Sequence, residues 1–254
     1  MTEQKPDAVD TQHRPRRTDH LGRAYKGSQL QIQIYVARRT EELSKAILTK
    51  LDCPVGTQLV WKSPLEKEEF KEHRDESFLE AVNLKELADD LRDFWPRRGP
   101  QWDGLARLEK DGQLTGIVLV EAKSYPEEMR GPGCDAKPES KSWKLIKRST
   151  KFAKDWFDAD VSVDQWLLGP YYQFANRLSH IYFLRKKVRI KAWLVNLCFV
   201  DDKTMKEKAT KKEVWKAKLK CAKNELGFEG EVQHVVDVFL NARDRTELLG
   251  PPTT

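Results

Sequence analysis

The sequence predicts an α/β protein, a mixed central sheet flanked by helices, and three observations carry that expectation. Helical and strand patterns follow one another as helix, β-hairpin, helix, strand, helix through the middle of the chain. The segment Val188 to Val200 is apolar on both faces at its centre, as a buried central strand requires. Two strand patterns, Gln101 to Leu108 and Leu114 to Lys123, flank a turn at Lys110-Asp111-Gly112. The 254 residues suffice for one sizeable core with an appended subdomain.

Taken in order, residues 1–28 are polar and lack apolar periodicity, which predicts a mobile tail; its Arg14-Pro15-Arg16-Arg17 group suits either solvent or nucleic acid. Residues 29–63 read as a strand–helix extension. Leu30-Gln31-Ile32-Gln33-Ile34-Tyr35-Val36 alternates like a half-buried strand, a short helix spans about Thr40 to Leu51, and Gln58 to Trp61 forms another short strand. The core is expected over 64–200. Ser63-Pro64-Leu65-Glu66 has the cap, the first-turn proline and the glutamate of a helix start, predicting a helix to about Val82. Asn83-Leu84-Lys85-Glu86 opens a second helix that ends before Pro96. After the hairpin, the proline- and glycine-bearing stretch 124–139 reads as a loop. Trp143, Ile146, Ala153, Trp156 and Phe157 then form one stripe of a helix crowded with lysines, and another helix runs from Pro170 to about Lys186. Residues 201–254 supply a helix capped at Thr210 and ending at Gly227, then a strand from Val232 to Leu240, both packed on the core.

Composition narrows the function classes. Hydrophobic residues make up 39% and charged residues 34%, with a formal net charge of +6, which favours a polyanionic partner. No apolar run is long enough to span a bilayer, so no membrane association is expected. Cys53, Cys134, Cys198 and Cys221 form no Cys-x-x-Cys pair; reduced thiols and a start without an apolar signal stretch point to a cytoplasmic protein without zinc. Nothing resembles a nucleotide-binding glycine-rich loop, and a homo-oligomer is left open.

The chemistry gathers in the hairpin. Trp102-Asp103 opens its first strand and Gly116-Ile117-Val118-Leu119-Val120-Glu121-Ala122-Lys123 closes its second. Glu121 and Lys123 share a face because strand side chains alternate. A two-residue Asp111-Gly112 turn without a bulge sets Asp103 opposite Val120, on the wrong face. A three-residue loop sets it opposite Leu119, diagonal to Glu121, and that loop is the expectation. Two carboxylates and a lysine at a sheet end suit Mg²⁺, which takes oxygen ligands and keeps several waters.

Asp103 followed by Glu121-Ala122-Lys123 after an apolar strand resembles the signature of the PD-(D/E)xK nuclease superfamily, and the surrounding elements resemble its α-β-β-α-β, restriction-endonuclease-like core over roughly 64–200. That resemblance implies metal binding by Asp103, Glu121 and the carbonyl of Ala122, with Lys123 assisting the attacking water. It implies Mg²⁺, with Mn²⁺ able to substitute, and hydrolysis of a phosphodiester in nucleic acid, DNA above all. Trp102 stands where the superfamily often has proline.

The superfamily often adds an acid from the preceding helix. On a helical wheel Asp75 falls in the buried sector, while Glu80 falls outside it as a lesser candidate; Asp75 either completes the metal site or pairs with Arg74 or Arg92. Arg97 and Arg98 directly precede the site, and Gln173, Asn176, Arg177 and His180 share one side of the helix from Pro170. These six suit phosphate or base contacts, or else, for the helix, an ordinary polar face. A catalytically silent nuclease-fold protein that binds nucleic acid or a protein is the alternative function, and an ordinary Glu121–Lys123 ion pair the plainest reading.

Overall fold

The computed structural model describes residues 17–250. Five strands form one open mixed sheet in sequential order: β1 (Gln58–Ser63), β2 (Gly104–Lys110), β3 (Gln113–Lys123), β4 (Ala192–Val200) and β5 (Val235–Asn241). β1, β2 and β3 pair antiparallel as a meander, whereas β3–β4 and β4–β5 are parallel. The helices are α1 (Gly27–Arg38), α2 (Thr40–Leu48), α3 (Glu76–Ala81), α4 (Ala88–Phe94), α5 (Lys141–Trp156), α6 (Val163–Leu168), α7 (Tyr172–Tyr182), α8 (Lys212–Glu225) and α9 (Thr246–Leu249). The segment α5–α7 carries the chain from β3 to its parallel neighbour β4, and α8 does the same from β4 to β5. Among the described residues no helix is long and apolar enough to cross a membrane.

Alternation within the strands sorts the core into two layers. Leu105, Ile117, Leu119, Leu194 and Val235 meet the layer built from α3–α7. Ala106, Leu108, Val118, Val120, Val195 and Leu197 meet the α1–α2 layer. β4 is buried along its whole length, as its doubly apolar pattern requires. Its expected start at Val188 moves to Ala192, because Arg189 turns the chain with a left-handed φ of 59°. α5 and α7 appear where their apolar stripes place them, and α6 was not expected.

Several expectations are corrected. Leu30–Val36 is helical, within α1, rather than a strand. Its alternating Gln31 and Gln33 are buried as fully as their apolar neighbours. Their amides are satisfied by flanking chain: Gln33 accepts from Ala24 N and donates to the Gly22 carbonyl, while Gln31 accepts from Arg243 N and donates to the Arg243 carbonyl. The same contacts show that the expected tail overruns. From residue 17 the chain packs on α1, with Ala24 buried; Arg14, Pro15 and Arg16 lie outside the described residues.

The helix expected from Ser63 to Val82 is broken. Ser63 is buried and donates its hydroxyl to the Lys71 carbonyl instead of capping. Only a 3₁₀ turn at Glu66–Glu68 forms before Glu69 and Phe70 take left-handed φ values of 52° and 57°, and α3 starts at Glu76. Asn83, expected as a cap, is left-handed as well (φ 62°), and a 3₁₀ turn at Lys85–Leu87 precedes α4. Thr210 likewise bonds the Lys208 carbonyl rather than capping α8.

The hairpin register is the correction that matters most. Lys110 pairs with Gln113, so the loop has two residues, Asp111 and Gly112, with φ of 51° and 74° as a type I′ turn needs. The expected three-residue loop is absent. A β-bulge does its work: Glu109 pairs with Leu114 but Leu108 with Gly116, leaving Thr115 as the extra residue. The Thr115 hydroxyl donates to the Leu108 carbonyl at 3.0 Å. Beyond the bulge Gly104 pairs with Val120, which sets Asp103 level with Glu121 instead of diagonal to it.

Candidate active site

Where β2 begins and β3 ends, the α7-side face of the sheet changes from apolar to polar in one step. Leu105 on β2, Leu119 on β3 and Leu194 on β4 form the last apolar row; the next is Asp103, Glu121, Asn196 and Asp237, with Glu121 paired to Asn196 and Asn196 to Asp237. Lys123 stands one row further out on the same face. The row is roofed by α7, whose Gln173, Phe174 and Arg177 close a cleft of about 30 Å³ with Glu121, Lys123 and Asn196. That is room for about one water or a small ion, not for a base.

Asp103 turns its carboxylate onto the end of β3, where Oδ2 accepts the Ala122 N–H at 2.7 Å. Oδ1 has no hydrogen-bond donor among the described residues. Burial, and then the nearby charge of Glu121, push the Asp103 carboxyl up to about 8. Glu121 is buried, and burial alone would raise it too. Arg177 and Lys123 outweigh that and hold it below the ordinary carboxylate value. The Lys123 ammonium lies 2.6 Å from Oε1 and the Arg177 guanidinium 2.7 Å from Oε2. Burial works against the Lys123 charge, but Glu121 and Asp103 prevail and raise it, so it stays an ammonium at neutral pH. Arg177 also reaches the Gln101 carbonyl and stacks over Trp102, 5.7 Å from the ring centroid.

The third acid here is Glu72, which the sequence reading missed. It accepts from Gln101 Nε2 and Gln29 Nε2, and burial raises its carboxyl, with the Glu121 charge adding to the rise. Glu72 arrives because the extended His73 bridges Trp102, the residue before Asp103. No local spacing announces that pairing. Asn196, a lone amide in an apolar strand, did carry a signal, as did Asp237 after Val235-Val236. Asn196 donates to Asp237, which also accepts from the buried Lys223 at 2.6 Å.

Several expected residues stand elsewhere. Asp75 is not in a helix interior: its φ is 50°, and its carboxylate accepts the backbone N–H groups of Arg98 and Gly99 at 3.0 and 2.8 Å. It thus pins the turn before Asp103, pairing with neither Arg74 nor Arg92. Glu80 is exposed and pairs with Lys85. His180 is 2% exposed, enclosed by Phe94, Trp95 and Trp102, and burial pulls it down to about 4, so it is neutral and out of reach of a phosphate. Asn176 is buried beneath the same helix. Arg97, Arg98 and Gln173 are exposed beside the site. The basic charges of α5 are largely spent locally, Lys144 on Glu139, Lys147 on Asp164 and Lys151 on Asp155.

Asp103, Glu121 and the Ala122 carbonyl are all hard oxygen donors, and Asp103 keeps one oxygen without a donor beside a second carboxylate. That set fits Mg²⁺, which needs only one or two protein carboxylates. Among the described residues no group of three or more His, Cys, Asp or Glu could hold a metal on its own. No protein-family model, curated protein or solved structure matches the chain.

Proposed function

We propose that this chain is a Mg²⁺-dependent nuclease, with Mn²⁺ able to substitute, that hydrolyses phosphodiester bonds in nucleic acid, DNA in preference. The observation that carries the reading is the meeting of Asp103 and Glu121 across the β2–β3 end with Lys123 on the same face. A restriction-endonuclease-like core is supported by the antiparallel β2–β3 pair, the helical crossover and the parallel β4. Asp103, Glu121 and the Ala122 carbonyl would hold the ion, which when bound polarises a phosphoryl oxygen and lowers the pKa of a water. Lys123, kept charged above all by Glu121, donates to the attacking water or to a phosphoryl oxygen and is not the base. Arg177 holds Glu121 in place and adds a second positive charge. Arg97, Arg98 and Gln173 remain for phosphate contact; Asn176 and His180 drop out, since both are buried.

The test is incubation of the purified protein with supercoiled DNA, linear DNA and RNA in Mg²⁺ or Mn²⁺. Cleavage that disappears in EDTA and falls about a hundredfold or more in Lys123→Ala is expected. The silent-binding alternative has one observation in its favour: both Glu121 oxygens are already engaged by cations. It predicts nucleic-acid binding with no cleavage for any metal or substrate, and that result would overturn catalysis.

A further inference from the structure

A second cleft opens where β3 leaves the sheet. Its volume is about 1040 Å³, at the upper end of the range for ligand sites, and it lies between the start of α1 and the turn after Lys123. Arg17, Lys26 and Lys208 line it, all exposed. None of these three has a carboxylate within ion-pair distance among the described residues, whereas the α5 lysines nearby in sequence to acids are paired. The one acid in the lining, Glu128, accepts from the Ser124 and Tyr125 N–H groups and from the Ser28 hydroxyl and offsets one of the three cations. The cleft therefore keeps a net positive charge.

Two tyrosines stand among these cations. Tyr25 is 46% exposed, with Arg245 against its ring at 4.8 Å, and Lys208 lies 4.3 Å from the centre of the Tyr125 ring. The cleft also touches the candidate active site at two points. Tyr125 follows Lys123 by two residues, and Gln29, in the cleft wall, donates to Glu72. A chain leaving the cleft past Tyr125 or Gln29 meets the segments that carry Lys123 and Glu72.

We infer that this cleft seats a single-stranded segment of nucleic acid and feeds it to the Asp103–Glu121–Lys123 site; the choice of nucleic acid as occupant rests on the nuclease reading. Cations spaced along a groove track a phosphate backbone, and tyrosine faces take up unpaired bases. Bases in a duplex are already stacked and offer no face to Tyr25, so the unpaired strand is the form that uses both features.

The experiment is fluorescence anisotropy with a labelled oligo-dT strand and with a duplex of equal length, in EDTA so that binding is read apart from cleavage. Wild type is expected to bind the single strand at least tenfold more tightly. The Lys26→Ala/Lys208→Ala double variant should weaken that binding at least tenfold and make the slope of log K against log salt shallower by about 1.4. Tyr25→Ala should weaken the single strand about tenfold and leave the duplex within twofold. Thermal melts of each variant check that these exposed positions leave the fold intact. Unchanged single-strand affinity in folded variants overturns the inference, as does equal loss for strand and duplex in Tyr25→Ala. The two proposals fail separately: cleavage with unaltered binding in the cleft variants removes the cleft, while strand binding without cleavage in any metal removes the nuclease reading.

Discussion

Asp103 and Glu121 are two carboxylates in one row whose surroundings drive them apart. Glu121 has two cations and keeps its charge; Asp103 has one backbone N–H and gives its charge up. Folded Asp103 holds its proton to about pH 8, while the unfolded carboxyl lets go near 3.8, so the folded state binds more protons between those values. Stability in EDTA therefore falls as pH rises through that window. Glu121 acts in the other direction: its lowered pKa stabilises above the ordinary 4.5 and that contribution is lost as acid is added below it. Asp103→Asn should remove the alkaline decline, read as urea midpoints that match at about pH 5.5 and about pH 8.5. Mg²⁺ should raise the wild-type midpoint more at the higher pH, because protons compete for Asp103 at the lower one. Isothermal calorimetry of Asp103→Asn should show the Mg²⁺ heat lost; an unchanged heat would leave only the ion pair. The Arg177–Glu121 contact is likewise measurable. A double-mutant cycle with Arg177→Ala and Glu121→Gln should give a coupling of about 1–3 kcal/mol, since each partner is buried by the other.

At the scale of elements, the β2–β3 hairpin makes the site, and the Thr115 bulge makes the hairpin work. With a two-residue turn and no bulge, Gly104 to Leu108 would each face the wrong partner and Asp103 would point into the α1 layer. Deleting Thr115 should cost only about 1 kcal/mol, because Leu108 stays opposite Gly116 and Glu109 opposite Leu114, and only the Thr115 hydroxyl bond to the Leu108 carbonyl is lost. Inserting one glycine at the Asp111-Gly112 turn should cost less than about 1 kcal/mol, since the register beyond the bulge is held by the core. Chemical denaturation of both variants measures these costs. Long apolar stripes made α5 and α7 legible in the sequence, and the faces of Glu121 and Lys123 were legible from alternation. The bulge was not, because one extra residue leaves no mark in a pattern of apolar and polar types. Nor was the break at Glu69–Phe70: the serine, proline and glutamate of a helix start are present, but tertiary packing takes Ser63 for the Lys71 carbonyl. Losing that helix moved the third acid from Asp75 to Glu72.

Across the whole molecule, α1 is the element both ends of the described chain converge on. It is buried all round, so the strict alternation of its glutamines looked like a strand; in a helix closed on every side, polar residues report which backbone is nearby rather than where solvent is. The 17–26 segment satisfies Gln33, and the segment after β5 satisfies Gln31, with Arg245 tied to Asp19 and Arg39 to Glu247. Truncation after Ala242 should therefore destabilise the protein by about 2 kcal/mol or more, since the buried Gln31 loses both of its bonds to Arg243, and thermal unfolding is the measurement. The hairpin tip stands in contrast to these tied ends. The 11 residues of β3 carry the chain from Gln113 to Lys123, roughly 30 Å at the rise of an extended strand. The bulge insulates that length from changes at the tip, where Asp111 and Gln113 are both exposed. The tip is thus a ready attachment point for a dye or an affinity handle, from which arrival of a labelled strand at the far end can be timed by energy transfer while the chemistry is left alone.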